Sequence, residues 1–182
     1  AHGHWSYSVA WIDCLASAEN LGRSLLILGE HAPAGPLRLR PGRQWQLPCA
    51  LPGFLLNQNS VRLFNALYFH TKARRMAESV ISLRSFFFPL DAIHQWNLMY
   101  GRRGFTQYQL VLPKEAGLDG LKQILRRVSR SGMGSFLAVL KLMGAANDNH
   151  LSFPLDGSTL ALDFKIEQRL FAARRGLRKP EL

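Results

Sequence analysis

The run from Phe105 to Leu112 reads with the two-residue period of a strand. That period puts Phe105, Gln107, Gln109 and Val111 on one side of a strand and Thr106, Tyr108, Leu110 and Leu112 on the other. The same two-residue period predicts strands over His4 to Leu15, with Trp5, Tyr7, Val9 and Trp11 on one side, and over Ser158 to Phe164. Arg23 to Leu28 reads as an apolar strand bounded by Gly22 and Gly29. Ser135 to Leu142 reads as a central strand interrupted only by Lys141, and Ser79 to Phe88 as a buried strand stopped by Pro89. Helical spacing takes over at Leu118, Leu121, Ile124, Leu125 and Val128, a helix closed at Ser131 and Gly132 with its basic residues toward the C-terminal end. A second helix is predicted over Ser60 to His70, with Ser60 as its N-cap and Val61, Phe64, Leu67 and Tyr68 facing the core. A short third is predicted over Ala92 to Tyr100, capped by Asp91 and ended by Gly101. From Pro33 to Pro52 five prolines predict a long irregular excursion over the surface.

About six strands and three or four helices follow, without a βαβ unit or a glycine-rich turn. The fold class this implies is α+β, an antiparallel β-sheet with helices packed on one face. A length of 182 residues suits one domain with a substantial core. Hydrophobic residues at 47% and charged residues at 19% exclude a disordered chain. The formal charge of +11 favours anionic partners such as phosphates or an acidic membrane surface. The basic residues are scattered and not interleaved with aromatics in one stripe, which argues against nucleic acid as a partner. Cys14 and Cys49 have no metal-ligand spacing and are expected to be free thiols; no metal site is implied. No apolar run reaches the roughly 18 residues of a membrane span, and the first residues do not form a signal peptide. A cytoplasmic or peripheral membrane location is the expectation. The start without Met, inside a predicted strand, is expected to mean a piece of something longer.

Candidate chemistry is sparse. Phosphate-binding loops, nucleophile elbows and zinc-protease helices are all missing from the sequence. Gln107 and Gln109 are the polar feature of interest: two amides on one strand face are either an ordinary surface or a pair holding the hydroxyls of a polar ligand. Lys141 in an apolar strand either snorkels to the sheet edge or serves a site.

Six ordered blocks then carry a resemblance: YSVAWID (Tyr7 to Asp13), GRSLLILGEHA (Gly22 to Ala32), FFPLDAIHQWNLMYG (Phe87 to Gly101), GFTQYQLVLP (Gly104 to Pro113), SFLAVLKLMG (Ser135 to Gly144) and LSFPLDGSTLALDF (Leu151 to Phe164). Together they resemble the substrate (cap) domain of FAD-dependent oxidases of the decaprenylphosphoryl-β-D-ribose 2-oxidase type. Those oxidases are related to the sugar-lactone oxidases of the vanillyl-alcohol-oxidase superfamily. The resemblance implies an incomplete substrate domain over residues 1–166 and a helical start with a divergent basic tail over 167–182. It implies FAD bound mainly by a domain absent from this chain, which a separate FAD-binding chain could supply. The substrate would be a polyprenyl-phosphoryl sugar, oxidised at the ribose 2-hydroxyl, with a partner reductase completing the epimerisation to the arabinose form. By the same resemblance Gln107 and Gln109 lie beside flavin and sugar, Trp11 walls the pocket, Leu137 and Val139 line it, and Lys141 is its basic residue. Phe87, Met143, Thr159 and Ala161 complete the set adjoining substrate and flavin.

The departures from the family pattern are specific. Ala161 stands where mycobacterial members carry a cysteine captured by covalent inhibitors, Phe87 replaces a tyrosine, and Met143 replaces a phenylalanine. The family's later strand with an active-site lysine has no counterpart, so the chain alone is expected to be inactive and holds no catalytic residue of its own. The resemblance also leaves open an FAD-dependent sugar or aldonolactone oxidase fragment, and the residues leave open a basic non-enzymatic binding module or an inactive remnant.

Overall fold

A computed structural model of the chain describes residues 5–35, 44–74, 78–134, 137–150, 153, 155–168 and 170. Its centre is one five-stranded sheet in the order β2-β1-β6-β7-β5, with every neighbouring pair antiparallel. The strands are β1 (Tyr7–Ile12), β2 (Ser24–Gly29), β5 (Phe105–Pro113), β6 (Ala138–Met143) and β7 (Gly157–Lys165). Two-residue strands β3 (Trp45–Gln46) and β4 (Ile93–His94) pair in parallel beside it. Among the described residues three α-helices accompany the sheet: α1 (Gln58–Ala73), α2 (Leu83–Phe87) and α3 (Gly117–Ser131). The α+β class with an antiparallel sheet is as the sequence patterns imply. No helix of the described residues is long and apolar enough to cross a membrane.

Residues directly opposite one another on antiparallel strands share a face. On one face Ile12, Ala138, Leu160 and Leu162 are buried, with Leu110, Leu140 and Phe164 packed beside them. The stripe Leu121, Ile124, Leu125 and Val128 of α3 covers them, and Gly132 ends that helix in the left-handed conformation at φ 66°. Leu118 of the expected stripe lies outside the core, because the helix begins at Gly117 and its first turn extends past the covered surface.

Helix α1 packs against the end of β1, and its cap differs from the expected one. Asn57 is the N-cap, accepting from the backbone of Asn59 and Ser60, while Ser60 sits three residues inside and returns a bond to Asn57. The buried stripe also shifts, to Val61 and Asn65, while Phe64 and Leu67 are 47% and 60% exposed. The cause is polar. Asn65 donates to buried Asp13 at 2.8 Å, and Asp13 is paired in turn with Arg23, whose guanidinium lies 5.0 Å from the Phe69 ring. A buried carboxylate needs such partners, and they set the rotation of the helix.

Two other expectations fail. The run Ser79 to Phe88 contains no strand; Leu83–Phe87 is helix α2, capped by Ser82 through the Ser85 amide. Three successive phenylalanines satisfy a buried strand or a helix turn equally well, and here the helix aims Phe86 at Gly29 and Phe87 at Tyr7. The expected helix from Ala92 to Tyr100 is two 3-10 turns, Pro89–Ala92 and Trp96–Tyr100, separated by β4 and by Gln95 in the left-handed region at φ 58°. Asp91 lies inside the first turn and caps nothing. The described residues of the excursion, 33–35 and 44–52, are irregular apart from β3; residues 36–43, Arg75 and the tail from 171 lie outside the described residues.

The core face makes a stability contrast between its covered centre and its uncovered end. Leu160 is 0% exposed in the central layer and Leu142 is 58% exposed on the neighbouring strand. Leu160→Ala is expected to lower the unfolding free energy by about 2–5 kcal/mol, and Leu142→Ala by less than about 0.5 kcal/mol, both read from urea midpoints.

Candidate functional site

Because α3 fixes which side of the sheet is inside, the odd-numbered residues of β5, β6, β7 and β1 share the opposite face. Their pairing lines them up in rows across the strands. Trp11 is opposite Val139, Val139 opposite Ala161, and Ala161 opposite Gln109. In the next row Val9 is opposite Lys141, Lys141 opposite Thr159, and Thr159 opposite Val111. On the other side Gln107 is opposite Asp163. Strand spacing makes the first row roughly 14 Å from β5 to β1.

Eight of the ten residues singled out from the sequence thus fall on one face: Trp11, Gln107, Gln109, Val139, Lys141, Met143, Thr159 and Ala161. Leu137, just ahead of β6 and in step with Val139, is half-buried. Phe87 reaches the same side from α2, with its ring centroid 4.9 Å from that of Tyr7 and nearly perpendicular to it. It lies over the β1 and β2 edge, away from the glutamines. Trp11 is buried, its ring centroid 4.9 Å from that of Tyr68 on α1, so the row is covered at that end. At the other end Gln107, Gln109 and Lys141 are exposed, and the small side chain of Ala161 leaves low relief between Gln109 and Val139. Lys141 has no carboxylate partner among the described residues, so its ammonium is available to an anion.

Both amides are tethered from below. Gln107 donates from Nε2 to Asp163 Oδ1 at 2.9 Å, and the Tyr100 hydroxyl donates to Asp163 Oδ2 at 3.3 Å. Gln109 donates from Nε2 to Thr159 Oγ1 at 3.0 Å, and the Thr159 hydroxyl donates to the Leu110 carbonyl at 3.0 Å. Burial pushes the Asp163 carboxyl above the ordinary range, and the bonds from Gln107 and Tyr100 offset part of that rise. Asp163 escaped notice in the sequence, although the signal was there: a carboxylate in step with Thr159 and Ala161 inside the otherwise apolar run Leu160 to Phe164. Cys14 and Cys49 are free thiols, the first buried and the second exposed.

The face opposite α3 thus carries two exposed amides and an exposed lysine without a carboxylate partner among the described residues. Comparison with known proteins adds to this. The chain is 34% identical over 179 residues, 93% of its length, to decaprenylphosphoryl-β-D-ribose oxidase of Mycolicibacterium smegmatis, and covers 38% of that protein. It is 27% identical, over 87% of its length and 46% of the other's, to an uncharacterised protein encoded 5′ of mprA in Streptomyces coelicolor. The chain therefore spans less than half the length of these two relatives. No protein-family profile matches it. The first similarity supports a fragment of an oxidase of that kind.

The raised Asp163 carboxyl gives stability a pH signature. A carboxyl that binds its proton more tightly when folded contributes stability below its unfolded value, about 3.9, and loses that contribution as pH rises through the folded value. Asp163→Asn is expected to flatten the decline in urea midpoint above about pH 4, measured against the wild-type chain.

Proposed function

We propose that this chain is the substrate-facing part of an FAD-dependent oxidase that oxidises the 2-hydroxyl of a polyprenyl-phosphoryl pentose. The observation that carries the reading is the row Gln109, Ala161, Val139, Trp11 with Gln107 and Lys141 beside it, assembled from four strands onto one face. The similarity to the mycobacterial oxidase over 93% of the chain supports it independently.

The residues fit a flat cofactor and a sugar. Ala161 keeps the middle of the row low, and the exposed amides beside it have carbonyl oxygens without a partner among the described residues. When bound, FAD supplies the two-electron acceptor that these side chains cannot provide. Gln107 and Gln109 would hold the sugar hydroxyls, because amide carbonyls accept from O–H groups. Lys141 would draw the phosphate toward the same face. The buried Trp11 and its Tyr68 neighbour exclude water from the far end of the row. The net charge of +11 suits work on a lipid phosphate at an acidic membrane surface. The cofactor and the partner reductase belong to protein outside this chain.

The test pairs the chain with a flavin-loaded domain of the related oxidase. Anaerobic addition of polyprenyl-phosphoryl ribose is expected to bleach the oxidised flavin, and Gln107→Ala with Gln109→Ala to slow bleaching at least about tenfold. Equal or faster bleaching by a free aldonolactone would favour a lactone oxidase. A complex that keeps its flavin and bleaches with neither would overturn the proposal.

A further inference from the structure

The direction in which each glutamine turns its amide is dictated from within the sheet. Asp163 is 1% exposed, and both its oxygens are engaged, one by Gln107 Nε2 and the other by the Tyr100 hydroxyl. An ionised carboxylate only accepts, so Gln107 must present its NH2 group inward and keep its carbonyl for whatever lies above. Thr159 is 3% exposed and reaches the same result by another route. Its hydroxyl hydrogen is committed to the Leu110 carbonyl, so its oxygen can only accept, and it accepts from Gln109 Nε2. The two amides therefore leave the same group free, and they do so on residues two apart on one strand face.

We propose that Asp163 and Thr159 are positioning residues that lock Gln107 and Gln109 as a pair of outward hydrogen-bond acceptors, so that this face selects a ligand presenting neighbouring donors. Vicinal hydroxyls of a furanose meet that requirement; a carboxylate or phosphate at the same spot does not. The anionic part of a ligand belongs instead beside Lys141, one row away. The assignment of a pentose as that ligand rests on the function proposed above, whereas the lock is a property of the chain itself.

The lock on Gln107 depends on the charge of Asp163, since a protonated carboxyl can donate and would accept either amide orientation. The groups bearing on that carboxyl are few among the described residues. Gln107 comes from β5 and Tyr100 from the turn before it. Lys165, two residues along the same strand, directs its ammonium to the carbonyls of Gly53 and Leu56 and to Glu167. The β6 ladder with this strand begins at Ala138, opposite Leu162, and brings no titrating side chain beside Asp163. The Gln109 lock has no titrating member.

The experiment is side-chain amide NMR of the full 182-residue chain without flavin. The Gln107 NH2 resonances are expected to shift with the same midpoint as the Asp163 carboxyl carbon, while those of Gln109 stay flat. Asp163→Asn should abolish that titration, and Thr159→Val should move the Gln109 resonances alone. At a pH above the midpoint, methyl β-D-ribofuranoside at about 50 mM, well above a millimolar Kd, should perturb both amides. Its 2,3-di-O-methyl ether, which has only acceptors there, should not. Gln107 resonances that ignore the Asp163 titration would overturn the lock, and the wild-type chain alone decides this if a variant does not fold. Amides that respond to the ether as strongly as to the diol, or to neither, would overturn the donor selection. All these readings are independent of flavin bleaching, so the lock and the oxidase function can fail separately.

Discussion

Burial of the α3 stripe against Ala138, Leu140, Leu160 and Leu162 decides which side of the sheet faces inward. Side chains alternate along a strand, so this one packing choice commits every odd-numbered residue of β5, β6 and β7 to the opposite side. A slip of one residue in any of these strands would exchange the faces, placing leucines in solvent and two amides, a lysine and a carboxylate under the helix. The cost of burying those polar groups makes the slipped register inaccessible. The polar face is therefore specified by the hydrophobic one, without any interaction among the polar residues being required to establish it.

Those interactions do a different task. Asp163 and Thr159 lie below the glutamines and join β5 to β7 through side chains as well as through the nine-residue backbone ladder. A comparable arrangement operates at the other end of β1, where Asp13 gathers Arg23 and Asn65 and sets the rotation of α1. That rotation brings Tyr68 over Trp11. Two buried carboxylates thus act on opposite sides of this face, the first by turning the amide of Gln107 beside the row and the second by turning the helix that covers Trp11.

Much of this was legible in the residues. The two-residue period read over Phe105 to Leu112 and Ser158 to Phe164 placed the strands and their faces, because both runs are short, rich in strand-forming residues and bounded by Gly104, Pro113 and Gly157. The periodic stripe of α3 was equally clear, whereas the grouping of the glutamines with Lys141, Val139 and Ala161 came from the family resemblance and not from the residue pattern. The failures have local causes. Phe86, Phe87 and Phe88 form a run without period, which a helix turn accommodates as readily as a strand. The N-cap of α1 was displaced by three residues because Ser60 belongs to the same capping box as Asn57 and looks like its start. The buried face of α1 was misread because Asn65, a polar residue, takes the place that a leucine would hold, and only its distant partner Asp13 explains why. Asp163 shows the same limit: its role depends on Gln107, which is 56 residues away in sequence.

The row from Trp11 to Gln109 recruits one residue from each of four strands, and its members span the chain from residue 11 to residue 161. No local segment contains it, so a partly folded intermediate with α3 or the β1 and β2 hairpin in place would have nothing to offer a ligand. Recognition emerges only when the last long-range pairing closes, late in a topology whose contacts are mostly distant in sequence. A ligand held there would consequently act as a clamp on the whole sheet, raising its global resistance to opening and leaving the fraying of individual turns untouched.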